Sequence, residues 1–258
     1  MTQDEWRSAD ERRTWLWGRI RDLAGQGGTT VSVRHVCAVA ATTLDACGVV
    51  FYETAPDGDG AVPVAVTDPV ADVLSEAEVT TGEGPAIEAV LDECPALVAD
   101  LDTKVNLARW PVFAPIALAH GVCAVSAFPV CLGAIVVGCL EVYHAEPVEV
   151  DRERLADGLL LADAVVVVLL SGLPAATGVD PFADAVEARW ATVQQAAGVV
   201  SAQLDVDLTT AFVRLRAHAY CTDRRLTDVA ADVVTGRERF SPEPGAGPGW
   251  GPWPEERR

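Results

Sequence analysis

The chain has 258 residues, a mass of 27.2 kDa, 50% apolar residues and 22% charged ones. It is too long for one small module and too hydrophobic for a disordered polymer, and at about 100 to 200 residues per domain two domains are expected. A formal charge of −19 argues against non-specific adhesion of the whole chain to nucleic acid or anionic lipid. The charge is uneven: residues 1–185 hold 10 basic and 28 acidic side chains, whereas residues 186–240 hold 7 of each. Any contact with a polyanion is therefore expected in the C-terminal quarter.

The opening MTQDEWRSADERR is polar and of mixed charge, without the apolar core of a secretory signal, so a cytoplasmic protein is expected. The apolar run Leu159 to Leu173 carries Asp163 and is shorter than the roughly 18 to 20 residues of a membrane span, which predicts a buried helix and no membrane partner. Seven cysteines without a Cys-x-x-Cys pair suit reduced, core-filling thiols. Four scattered histidines (35, 120, 144, 218) suggest neither a metal site nor a cofactor.

In chain order, residues 4–24 place Trp15, Ile20 and Leu23 at helical steps, and Gly25 to Gly28 ends that helix. Thr29 or Thr30 is the expected cap of a second helix with Val33, Val36, Ala40 and Leu44 on its apolar face. Val49 to Glu53 and Ala61 to Thr67, separated by the turn-forming Pro56 to Gly60, predict a hairpin. Short helices are predicted at Pro69 to Ala77 and Pro85 to Asp92, a short strand at Ala96 to Asp100, and a helix over 106–120 despite Pro111. Val122 to Val130 and Ala134 to His144 predict two strands joined at Leu132-Gly133. In the second of them Val137, Cys139, Glu141 and Tyr143 share one face, with Leu140, Val142 and His144 on the other. A helix over about 150–170 closes this α+β unit.

Ser171 to Pro181 reads as a linker, with Asp180 as cap and Pro181 at the first position of the next helix. Val186, Trp190, Val193, Ala197, Val200 and Leu204 then recur at steps of four and three. Two shorter helices are predicted at Leu208 to Cys221 and Arg224 to Thr235, giving an all-α three-helix bundle. The Pro- and Gly-rich tail from 241 is expected to be disordered.

Two resemblances follow from these segments. Gln194 to Val200, Ala211-Phe212, Leu215-Arg216, Ala219 and Arg224 to Ala230 resemble the ANTAR domain, a three-helix module that binds RNA hairpins in transcription antitermination. Gly82-Glu83-Gly84-Pro85, Arg109-Trp110-Pro111, Phe128-Pro129-Val130 and Gly138 to Tyr143 resemble a GAF sensor domain. The resemblances imply an N-terminal helix (1–28), a GAF-like antiparallel sheet flanked by helices (29–172), a linker (173–183), an ANTAR-like RNA-binding bundle (184–240) and a tail (241–258). Ala197 stands where ANTAR sequences usually carry Lys, and Asp223 follows Thr222 where they usually carry Asn, so weakened RNA affinity is expected. Ala86 stands at the Cys of the Gly-Glu-Gly-Pro-Cys pattern, which excludes a sensing thiol there.

The candidate RNA-binding residues are Arg214, Arg216, Arg224 and Arg225, since guanidinium forks hold phosphate and stack on bases; solvated helix surface is the plainer reading. Gly198, mid-helix, costs roughly 1 kcal/mol against Ala and predicts a close backbone approach, to a neighbouring helix or to RNA. Arg109, Trp110, Phe113 and Phe128 are the candidate lining of a small-molecule pocket, although Arg109 paired to an acid such as Glu83, beside core aromatics, is the plainer reading of Arg109-Trp110-Pro111. Cys123, Cys131 and Cys139 recur every eight residues and could meet across the hairpin. No catalytic constellation is visible.

The expected function is that of a signal-responsive antiterminator, a homodimer and not an enzyme, with an RNA stem-loop and an unidentified small molecule as partners. A degenerate regulator acting through protein contacts and a thiol redox enzyme on a GAF fold are the alternatives.

Overall fold

The computed structural model describes residues 9–54, 61–171 and 181–241. The expected turn at 56–60, the linker, the Asp180 cap and the tail beyond 241 lie outside them. The described elements run α1 (Ala9–Gln26), α2 (Val33–Thr43), β1 (Gly48–Thr54), β2 (Ala61–Val66), α3 (Pro69–Thr81), α4 (Pro85–Leu91), β3 (Ala96–Val98), α5 (Lys104–Arg109), α6 (Phe113–Ala119), β4 (Ala124–Leu132), β5 (Ile135–His144), α7 (Arg152–Leu170), α8 (Pro181–Leu204), α9 (Leu208–Cys221) and α10 (Leu226–Val234).

The strands form one antiparallel sheet in the order β2-β1-β5-β4-β3. Strand alternation divides the core. Val50, Tyr52, Val125, Ala127, Cys139 and Tyr143 pack on one face, toward α3, α4, α6 and the C-terminal helices. Val49, Phe51, Phe128, Val130, Leu140 and Val142 pack on the other, against α1, α2 and α7. A strand whose two faces are both covered is apolar throughout, which is why β1 and β5 read as nearly continuous apolar runs.

Local chemistry sets the ends of the elements. Asp68 caps α3 by accepting from the N–H groups of Val70 and Ala71 at 2.9 and 3.1 Å, with Pro69 following at the first helical position. Ser32, not Thr29 or Thr30, caps α2: its N–H donates to His35 Nδ1 at 3.0 Å. The Thr29 hydroxyl instead reaches back to the Ala24 carbonyl. The helix expected over 106–120 is broken into α5 and α6, because the residue before a proline is driven off helical geometry. Trp110 stands at φ −130°, ψ 75°.

Helices α8, α9 and α10 pack on one another. Val186, Trp190, Val193, Ala197 and Val200 of the expected stripe are buried, and Trp190, Val193, Leu215 and Val229 join the same apolar core as Val50 and Tyr52 of the sheet. The third helix starts at Leu226, later than expected, because Asp223 is left-handed at φ 52° and Arg225 is extended.

Candidate functional site

Helix α3 brings three carboxylates out of water: Asp72, Glu76 and Glu78 are 5%, 6% and 0% exposed. Buried charges need partners, and α3 finds them on two sides.

On the side of the C-terminal helices, Glu76 Oε1 accepts from the Thr227 N–H at 3.0 Å and from the Thr227 hydroxyl at 2.9 Å. Its Oε2 accepts from Arg225 Nε at 2.5 Å. Asp72 Oδ2 meets Arg189 Nη2 at 2.7 Å and Arg225 Nη2 at 3.4 Å. Beside this seam Arg216 is largely buried; its Nε donates to the Thr80 carbonyl at 3.3 Å and its guanidinium lies 5.9 Å from the Phe212 ring centre. Burial lowers its pKa from the ordinary arginine value. Arg216 also covers Gly82, where a Cβ would stand 2.0 Å from Nη2. A cleft of about 620 Å³ opens along the seam, lined in part by Thr80, Thr81, Tyr220, Asp223, Arg224 and Arg225.

On the sheet side, Glu78 meets Glu141 of β5. Tyr52 and Tyr143 donate their hydroxyls to Glu141 Oε2 at 2.9 and 2.6 Å. Burial pushes Glu78 well above the carboxylate range and Glu141 up to about 7. Among the described residues, both Glu78 oxygens and Glu141 Oε1 have no hydrogen-bond partner of good geometry, and two carboxyl groups sharing one buried site favour a single negative charge over two. The Ala86 N–H faces the pair and favours its charged form, against the dominant effect of burial.

The Gly-Glu-Gly-Pro segment is built around these contacts. Gly82 ends α3 in the left-handed region at φ 74°. Glu83 accepts from the N–H groups of Val112 and Phe113 at 2.6 and 2.8 Å. Gly84, at φ 144°, leaves room for Glu78, whose Oε1 lies 2.0 Å from where a Cβ would be. Pro85 opens α4.

The expected RNA-binding arginines are placed unevenly. Arg216 and Arg225 lie in the seam, Arg224 pairs with Asp232 at 2.5 Å and with Glu238 at 3.7 Å, and Arg214 is on the exposed side of α9. Gly198 is exposed, and a Cβ there would meet no atom within 4 Å, so the close approach expected for it is not made to a neighbouring helix. Ala197 is buried, which removes it from the solvent face on which a lysine was expected.

The expected pocket residues are divided by the sheet. Trp110 and Phe113 are buried on the α3 side, while Phe128 packs on the other, over Gly158. Arg109 pairs with Glu88, its Nε donating at 2.9 Å, and lies over the Trp110 ring at 4.6 Å; Glu83 is not its partner because Glu83 is committed to the start of α6.

Cys131 is exposed opposite Val136 while Cys139 is buried opposite Pro129, so these two do not meet across the hairpin. Burial pushes Cys37 up to about 12 and Cys139 well above the ordinary thiol value. Among the described residues no group of three or more His, Cys, Asp or Glu is arranged to hold a metal ion, and no helix is long and apolar enough to cross a membrane.

Asp72, Glu76, Glu78 and Glu141 were not singled out by the sequence reading. One signal was available for Glu141: it shares a strand face with Cys139 and Tyr143 in an otherwise apolar pattern.

No family model matches the chain, and no curated protein does. Among solved structures, the GAF domain of an Acinetobacter phosphoenolpyruvate-protein phosphotransferase is similar at 12% identity and a TM-score of 0.45, over 61% of this chain and 93% of that one. The second GAF domain of DevS from Mycobacterium smegmatis is similar at 22% identity and a TM-score of 0.41, over 54% and 91%. Free methionine-R-sulfoxide reductase from Neisseria meningitidis is similar at 14% identity and a TM-score of 0.44, over 66% and 96%. At these scores the likeness carries no conclusion about ligand or reaction. What stands is the architecture of the chain itself, a five-stranded antiparallel sheet with helices on both faces; the GAF resemblance of that unit and the ANTAR resemblance of α8 to α10 rest on sequence.

Proposed function

We propose that the chain is a signal-responsive regulator in which a GAF-like sensor governs C-terminal helices that bind an RNA stem-loop in transcription antitermination. The observation that carries this reading is the gathering of Arg189, Arg216 and Arg225 at one seam, within residues 186–240, where 7 basic side chains balance 7 acidic ones. Arginine forks beside a helix start form a phosphate-binding donor set. The ANTAR-like segments of the sequence agree with it, and the cytoplasm is the compartment such a role requires.

The protein is read as non-enzymatic; Cys37 and Cys139 are buried, and burial raises both thiols above their ordinary value, which blunts these two as nucleophiles. Homodimerisation fits the exposure of Val167, Leu169 and Leu170 at the end of α7.

A second reading, regulation through protein contacts without RNA, draws support from Asp223, an acid lining the cleft beside Arg224 and Arg225. Titration of a labelled paired-hairpin RNA against wild type, Arg225→Ala and Asp223→Asn separates the two. Asp223 is left-handed, a conformation Asn tolerates well, so this substitution changes charge without straining the backbone. The antiterminator reading expects Asp223→Asn to bind more tightly and Arg225→Ala to lose binding. Absence of binding by all three, at low salt, would favour protein contacts.

A further inference from the structure

We propose that α3 is an internal stand-in for RNA phosphate: Asp72 and Glu76 occupy the anion-binding positions of the C-terminal helices, so that RNA and α3 compete for Arg189, Arg225 and Thr227. The proposal deepens the RNA reading above and rests on it for the identity of the competitor.

The donor set around Glu76 carries the argument. A single carboxylate takes a guanidinium on one oxygen, and a backbone N–H and a hydroxyl from the first turn of α10 on the other. Helix α10 has no side-chain cap of its own, since Arg225 stands at the cap position. Glu76 therefore does from another element what a capping side chain does from within. A phosphate at a helix start uses the same combination of N–H, hydroxyl and arginine fork. Asp72 supplies a second anion that bridges Arg189 of α8 and Arg225, as neighbouring phosphates of one backbone do.

The contact is lopsided in a way that suits exchange. The Asp72 and Glu76 side chains are 7% exposed, while those of Arg225 and Arg189 are 44% and 36% exposed. An incoming polyanion can engage the outer edges of the guanidinium groups before the carboxylates leave, and the cleft along the seam gives it a path. The pairing of Arg34 with Asp184 and Glu187 fastens the start of α8 to α2 without using a C-terminal arginine. Release of α3 therefore leaves that attachment in place.

The test is fluorescence anisotropy of the full chain with two labelled probes, a paired-hairpin RNA and heparin, together with hydrogen exchange of the α10 amides. The variant is Asp72→Asn with Glu76→Gln, which keeps shape and removes the competing charge. Asp102→Asn with Glu146→Gln, at two exposed acids, controls for the change in net charge. The expected result is faster exchange at Thr227 to Val229 and RNA binding about tenfold tighter or more, because a larger fraction of the chain is competent to bind. The control pair should show neither, and adding Arg225→Ala should remove the gain. A gain for heparin but not for the hairpin would sustain the mask and reject RNA as the natural competitor, and with it the antiterminator reading. No gain beyond the control, or faster exchange with no gain for either polyanion, would overturn the mask. If circular dichroism shows the double variant unfolded, Glu76→Gln alone reads the same competition, since Asp72 still holds Arg189.

Discussion

Glu76 and Glu78, two residues apart on α3, face opposite sides of the helix: Glu76 reaches Arg225 and Thr227 of the C-terminal helices, and Glu78 meets Glu141 of the central strand β5. One helix thus links the ionisation of a carboxyl pair inside the sheet layer to the charge contacts that hold the C-terminal module. Both links depend on burial, so each responds to changes that would be silent on a surface.

The carboxyl pair gives the fold a pH dependence of definite sign. Glu141 is raised from 4.5 to about 7 in the folded chain, chiefly by burial. Its contribution to stability is whole below about pH 4.5 and is lost as pH rises through about 7. The pair should therefore make stability fall from pH 5 to pH 8 in thermal melts of wild type. Glu141→Gln, neutral at every pH and still able to accept from Tyr52 and Tyr143, should reduce that slope, with Glu78, also raised by burial, supplying what remains. An unchanged slope in the variant would assign the dependence to other groups.

Gly84 and Gly198 should respond oppositely to the same substitution. Gly84→Ala combines a left-handed φ of 144° with a collision against Glu78 and should destabilise by about 1–3 kcal/mol or more. Gly198→Ala, in open space within α8, should stabilise by about 1 kcal/mol. Urea denaturation of both variants checks the pair.

Thiol accessibility should split six of the seven cysteines into two groups, with Cys123 half-buried between them. Cys37 and Cys139 are buried, while Cys47, Cys94, Cys131 and Cys221 are exposed. Alkylation of the native chain at neutral pH, read by peptide mass spectrometry, should modify the exposed four and spare Cys37 and Cys139 until denaturant is added. Rapid native labelling of Cys139 would revive a thiol mechanism.

How much of this was legible in the sequence depends on the range of the interactions. The stripe from Val186 to Val200 and the alternation of β5 were readable because burial imposes a period on neighbouring residues. The break at Trp110-Pro111 was readable in principle from proline sterics, but helical periodicity on either side concealed it. The acidic seam was not readable: Glu76 and Thr227 are 151 positions apart. A carboxylate on a helix looks like solvated surface until its distant partner is placed. The four arginines were noticed as a charge pattern, yet which of them would face α3 was fixed only by the packing of α9 and α10.

The most direct measurement is photocrosslinking of a hairpin RNA carrying 4-thiouridine to the full chain with Asp72→Asn and Glu76→Gln, followed by mapping of the crosslinked peptides. The account predicts crosslinks concentrated in residues 208–235, around Arg216, Arg225 and Thr227, and much weaker crosslinking in the chain that retains both acids. Crosslinks confined to residues 29–171, or equal yields with and without the two carboxylates, would contradict it.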